Sequence, residues 1–198
     1  MTTARDLAIL ALDTAGDRPV DQGEVSLALA AAEILDLVGA GAVVLDGDHI
    51  VPNAQAPTGD RLLDEAAAAL VRQQPYESVE DWLWRRGRGL SSAYVDDLER
   101  IGLTTRPRGR MLPLRSARTV LVDSPARRAA EERRAAGEPV LAALAATAGI
   151  GDEPATEAVG DTATTVLAVV GDAVMELEAV RQRKAIENAA FDNLWRGV

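Results

Sequence analysis

Ala56-Pro57-Thr58-Gly59-Asp60-Arg61-Leu62-Leu63-Asp64-Glu65 has the makings of a helix start, and one helix later the chain reads Glu77-Ser78-Val79-Glu80-Asp81-Trp82-Leu83. Pro57 fixes φ, Thr58 or Asp60 can cap orphan N–H groups, and Asp64 and Glu65 fall in a first turn where the macrodipole favours acids. The spacing predicts a helix over about residues 59–73 and a shorter one over about 78–86.

On the N-terminal side, Leu7, Ile9, Leu10 and Leu12 predict a short apolar helix over residues 3–13, with Gly16-Asp17-Arg18-Pro19 as a turn. A second helix is predicted from Asp21 to Val38, stopped by Gly39-Ala40-Gly41 and dense enough in Val, Leu and Ile to be buried on more than one side. Ala42 to Leu45, then Asp46-Gly47-Asp48, then His49-Ile50-Val51 read as a hairpin, because Asp-Gly between β-branched runs is a strong turn signal.

On the C-terminal side, Gly87-Arg88-Gly89 breaks the pattern, and Ser91 is the expected cap of a helix reaching Arg100. Thr104 to Arg106 and Met111 to Leu114 flank Pro107-Arg108-Gly109-Arg110 as a second hairpin, and Arg115 to Val122 reads as a loop or ragged strand. Ser124-Pro125 starts a helix over about residues 125–136, followed by one over about 139–148. Beyond Gly149 to Pro154, a last helix is expected from about Asp161 to Trp195. The fold class is mainly α: a compact helical domain around a central helix bundle, with one or two small β-hairpins, forming a single domain over residues 1–198.

The 198 residues contain no Cys, which excludes disulfides, thiolate metal sites and a thiol nucleophile. No apolar stretch reaches the ~18 residues that suggest a membrane span, and the start lacks the pattern of a secretory signal, so a cytoplasmic location is expected. The only His is His49, in a short hairpin, and no base stands beside a nucleophile. Asp60, Asp64 and Glu65 cluster, but acids in a first helical turn are expected for dipole reasons. No catalytic residue, metal ligand or cofactor site is assigned, and the chain is read as a non-enzyme.

The net charge of −10 conceals a segregation. Between Arg85 and Arg134 there are 13 Arg and 6 acids, a local +7, leaving −17 on the other 148 residues. Arg suits bidentate phosphate recognition, so a polyanion partner is one reading. The other is that these arginines pair with the acidic remainder. Trp82 and Trp84 sit two apart and cannot share a helix face, so one is expected in the core and one nearer the surface beside Arg85, Arg86 and Arg88. Val120-Leu121-Val122, with Arg118 before it and Arg127 and Arg128 after it, reads either as a loop that dips into a bilayer or as a buried strand edge.

The two quoted segments, with Asp6 to Asp13, Ala28 to Leu45, Leu98 to Leu103 and Met111 to Leu114 around them, resemble the Golgi phosphoprotein 3 family, and its actinobacterial-type members in particular. The resemblance is clearest over residues 5–136, with 155–198 as a C-terminal helical part. It implies a peripheral membrane or adaptor protein that binds anionic, phosphoinositide-like lipid headgroups without chemistry, located in the cytoplasm or at the inner face of the membrane. It places the later Arg pair of the family's phosphatidylinositol 4-phosphate pocket near Arg88 and Ser91; Arg85, Arg86 and Arg18 are candidate headgroup ligands that would substitute from other positions. It places the membrane-contacting loop at Arg118, Val120, Leu121 and Val122. The family's early pocket Trp and Arg fall on Asp21 and Ala30, both departures.

Two other readings remain open. A winged-helix nucleic-acid binder would use Tyr94 to Ile101 as recognition helix and Arg108-Gly109-Arg110 as wing tip, against which stand Asp96, Asp97 and Glu99 and the acidic total. A protein–protein interaction module would use the stripe Val166, Val169, Val170, Val174, Leu177 and Val180 for homo-oligomer formation, although such a stripe is more often core.

Overall fold

The computed structural model describes residues 2–17, 19–54, 57–105, 119–151 and 159–196. In chain order the elements are α1 (Thr3–Asp17), α2 (Gln22–Gly39), β1 (Val43–Asp46), β2 (His49–Pro52), α3 (Arg61–Ala68), α4 (Val79–Arg86) and α5 (Leu90–Arg100). There follow β3 (Thr104–Thr105), β4 (Val120–Leu121), α6 (Pro125–Ala135), α7 (Pro139–Thr147) and α8 (Asp161–Arg196). The architecture is mainly α, with two small antiparallel sheets among the described residues, β1 with β2 and β3 with β4.

α2 is the centre. Its run from Val25 to Ile34 is buried without a break, and it packs against α1, α3, α4, α5, α7, α8 and β1. Ala30, Ala31 and Ala32 are wholly enclosed, and their small side chains let neighbouring helices approach from all sides. Trp82, on α4, is likewise enclosed, and its indole N–H donates to the Ala30 carbonyl at 3.1 Å. This satisfies the one polar group that would otherwise penalise burying an indole. Trp84 is half-buried, so the two tryptophans divide between core and surface as their spacing requires.

The helix starts follow their capping residues. Asp60 accepts from the N–H groups of Leu62 and Leu63 at 3.1 and 3.2 Å. Thr58 donates its N–H and its hydroxyl to Asp64, both at 2.7 Å, locking the Pro57-Thr58-Gly59 turn onto α3. Ser78 and Ser124 cap α4 and α6 through the N–H groups of Asp81 and Arg127. The β1–β2 hairpin pairs Asp46 with His49, and Gly47 at φ 63° supplies the left-handed turn. The hairpin is stitched to the segment before α4 by Ile50 N–H to the Glu77 carbonyl and Val79 N–H to the Asp48 carbonyl.

Several boundaries differ from the sequence reading. α1 continues through Gly16 to Asp17, because the stop is set by Pro19, which disfavours helical φ/ψ at the residue before it. α3 ends at Ala68 and not near Gln73, since the stripe Leu62, Leu63, Ala66, Ala67 has run out and Ala69 closes the last turn. α5 is entered through Gly89 at φ 72°, with no side-chain cap, and Ser91 lies inside the helix. β3 pairs with Val120–Leu121, register Thr104 to Leu121 and Thr105 to Val120. The Met111–Leu114 arm and the Pro107–Arg110 tip lie outside the described residues.

The C-terminal stripe is core at its start. Val166 and Val170 are fully buried and Val174 and Leu177 are packed against the core, whereas Val180 is 46% exposed. No helix among the described residues is long and apolar enough to cross a membrane.

Candidate functional site

Three elements meet around Arg88: the first turn of α2, the Gly87-Arg88-Gly89 connector between α4 and α5, and the middle of α8. Gly87 is required by close approach, since a Cβ there would lie 2.6 Å from the Leu83 carbonyl and 3.4 Å from that of Ser26. Gly89 is required by its positive φ. Between them they hold Arg88 exposed at the mouth of a cavity of about 290 Å³, lined mostly by apolar groups including Leu27, Leu83, Trp84 and Leu177. Arg88 makes no hydrogen bond or ion pair to any described residue.

Ser91 lies on the same cavity but faces a different duty. Its hydroxyl donates to Gln22 Oε1 at 2.6 Å and its N–H to Ser26 Oγ at 3.0 Å, tying α5 to α2. The first turn of α2 is capped by Asp21, which accepts from the N–H groups of Gly23 and Glu24 at 2.8 and 3.0 Å. The Arg181 guanidinium from α8 donates to Asp21 at 2.5 Å and to Glu24 at 3.3 Å. Gly23 allows this contact: a Cβ would sit 2.6 Å from Arg181 and 2.9 Å from Leu177. Partial burial raises the Asp21 carboxyl, but the Glu24 N–H, Arg181 and the Gly23 N–H outweigh it and hold it below its usual range. Glu24 moves the other way, raised by partial burial and by Asp21 beside it.

Two of the other arginines placed at the headgroup by sequence, Arg86 and Arg85, are engaged elsewhere. Arg86 forms a two-pronged pair with Glu33, both contacts 2.8 Å, with its side chain 18% exposed and that of Glu33 fully buried. Tyr94 donates to the same carboxylate at 3.2 Å. Burial pushes the Glu33 carboxyl up, with Arg86 and Tyr94 pulling it back. Arg85 grips Glu77 at 2.6 Å through two nitrogens and lies 5.2 Å over the Trp82 ring. Arg18 and Arg118 lie outside the described residues. Val120 is exposed while Leu121 packs on the core, so strand alternation splits the apolar triplet between two faces. Val122 is half-buried, its N–H bound to the Leu103 carbonyl.

The basic middle of the chain is therefore largely neutralised where it is described. Arg85, Arg86, Arg100, Arg127, Arg128 and Arg133 each have a carboxylate partner. Arg88 and Arg134 have none among the described residues, and the five arginines from Arg106 to Arg118 lie outside them.

A larger cavity, about 850 Å³, opens between the start of α1, the end of α2 and the start of α8. Its charged lining is acidic: Asp36, Glu138 and Asp161. Asp36 is itself the cap of α1, accepting from Thr3 and Ala4 N–H at 2.9 Å, and burial raises its carboxyl. His49 is exposed and bonded to its neighbour Asp48 at 2.8 Å. No cluster of three or more potential metal ligands occurs among the described residues.

The Golgi phosphoprotein 3 (GPP34) family model matches residues 4–190, nearly the whole chain. The chain belongs to the Golgi phosphoprotein 3 family. No curated protein is significantly similar to it in sequence. Against the family pocket recognised in the sequence, Asp21 is the α2 cap and Ala30 is fully enclosed, so neither position offers a headgroup donor. Arg181 was missed from sequence. The sequence sign was its place one turn after Leu177, on the face of α8 that packs against the core.

Proposed function

We propose that this member of the family is a non-enzymatic peripheral membrane or adaptor protein that meets anionic lipid headgroups through the Arg88 cavity. The observation that carries the reading is the isolation of Arg88. It is exposed over an apolar-lined hollow and without a carboxylate partner among the described residues, while the arginines two and three residues before it are both neutralised. A guanidinium beside half-buried Trp84 matches the chemistry of a headgroup zone, where phosphate meets cation and an amphipathic ring sits at the apolar boundary. The five arginines from Arg106 to Arg118, in the segment of sequence between β3 and β4, would add a less specific electrostatic attraction. Such a protein would act in the cytoplasm at the inner face of the membrane.

The test is vesicle flotation with the full chain at low salt, where surface electrostatics are least screened. Recovery with anionic but not neutral vesicles, reduced in Arg88→Gln, is the expected result. No recovery with anionic vesicles refutes the reading.

A further inference from the structure

The charges around the cavity limit which headgroup it can hold. Arg181 alone answers both Asp21 and Glu24, one cation against two carboxylates, so the α2 end of the site keeps a net negative charge, and Arg88 stands apart from it on the cavity. The N–H groups at the start of α2, the natural seat for a phosphate oxygen, are already occupied by Asp21. Arg181 cannot turn to a ligand without abandoning Asp21. The Ser91 hydroxyl is held by Gln22. What remains on the cavity among the described residues is the unpaired Arg88 guanidinium beside a lining of Leu27, Leu83, Trp84 and Leu177. That combination suits one negative charge joined to an uncharged body, and it opposes a second charge placed near Asp21.

Resting on the lipid-binding reading above, we infer that this site selects lipids with a singly charged phosphodiester headgroup over phosphomonoester headgroups. The latter carry more than one negative charge near neutral pH, because the second phosphate ionisation lies near pH 6. In general, two like unit charges about 10 Å apart at an effective dielectric of about 20 repel enough to weaken binding roughly tenfold, and more when closer. Asp21 is thus a selectivity residue that acts by exclusion.

Co-sedimentation of the full chain is compared on phosphatidylcholine vesicles carrying phosphatidylglycerol, phosphatidic acid or phosphatidylinositol 4-phosphate, matched for total surface charge. The expected order places phosphatidylglycerol about fivefold to tenfold ahead of both phosphomonoesters. Asp21→Asn keeps a side chain that caps helices as well as Asp does. By removing one charge and releasing Arg181, it should bring the phosphomonoester vesicles level with phosphatidylglycerol. Arg88→Gln, a change at an exposed position, should lower phosphatidylglycerol binding at least fivefold with an unchanged melting temperature. Equal binding of the three lipids, or preference for phosphatidylinositol 4-phosphate, by the unaltered chain overturns the inference and leaves lipid binding intact. An unchanged ranking in folded Asp21→Asn overturns the role of Asp21. Absence of binding to every anionic vesicle overturns the lipid-binding reading with it.

Discussion

Replacing Arg86 by Ala would leave the Glu33 carboxylate fully enclosed with only the Tyr94 hydroxyl to stabilise its charge. Breaking a buried pair from one side costs about 3–5 kcal/mol, because the remaining ion is desolvated and uncompensated. For a domain of this size, 1 kcal/mol corresponds to roughly 2–4 °C, so the melting temperature at pH 7 should fall by about 6–20 °C. The penalty should depend on pH in a definite direction. Burial already raises the Glu33 carboxyl above its usual value of 4.5, and loss of Arg86 raises it further. A group whose folded pKa is raised favours the fold when protonated and loses that contribution as pH rises through the folded value. The gap between Arg86→Ala and the unaltered protein should therefore narrow as pH is lowered toward 4.5 and widen toward 7. Urea titrations across that range measure it. The companion variant Arg86→Met/Glu33→Leu/Tyr94→Phe removes charge and hydroxyl together and should recover most of the stability, since apolar replacements of buried pairs are often neutral or better. A loss below about 1 kcal/mol at pH 7 for Arg86→Ala would refute the claim that this pair is a buried internal ion pair, and would return Arg86 to the surface as a candidate ligand.

Asp97 should show the opposite pH behaviour. It is nearly enclosed, and although burial raises its carboxyl, Arg100 and Arg61 outweigh that and hold it below 3.8. Its contribution is present above that value and lost as pH falls through the folded one, so Asp97→Asn should melt lower than the unaltered chain at pH 7 and converge with it below about pH 3.8; a constant gap would show that charge is not the cause. Gly89→Ala forces a Cβ into the left-handed region at φ 72° and should cost about 1–2 kcal/mol in urea unfolding, with no loss expected only if the connector can re-form with negative φ. Val170→Asp buries a carboxylate at a fully enclosed position on α8 and should abolish cooperative unfolding by circular dichroism; a folded variant of reduced mass by light scattering would instead restore the reading of this stripe as a subunit contact.

Most of the fold was legible because its signals are local. Ser78, Ser124-Pro125 and the Thr58-to-Asp64 run mark helix starts by side-chain chemistry within one turn, and Asp46-Gly47 marks the hairpin. Errors arose where the deciding partner is distant. Ser91 looks like a cap, but its N–H and hydroxyl go to Ser26 and Gln22, 65 and 69 residues away. For the Arg-rich middle the sequence left two readings open, a phosphate partner or internal pairing, and could not choose because the partners are distant: Arg86 answers Glu33, 53 residues earlier, and Arg133 answers Asp6, 127 residues earlier. A lone Glu33 inside the apolar run of α2 was the readable sign that some arginine had to come inward. Of the site, Arg88 and Ser91 were placed by family resemblance, whereas the Asp21–Arg181 contact joins residues 160 apart and no local pattern pairs them.

That contact also sets a lever. Arg181 makes the last ion pair between α8 and the rest of the domain among the described residues, residues 182–188 are exposed, and the helix continues to Arg196. At 1.5 Å per residue the arm beyond the pivot is about 22 Å long, so a tilt of roughly 10° at Asp21 would swing its end by about 4 Å. Whatever competes for the Asp21 carboxylate or the Arg181 guanidinium would be felt as a displacement one protein radius away.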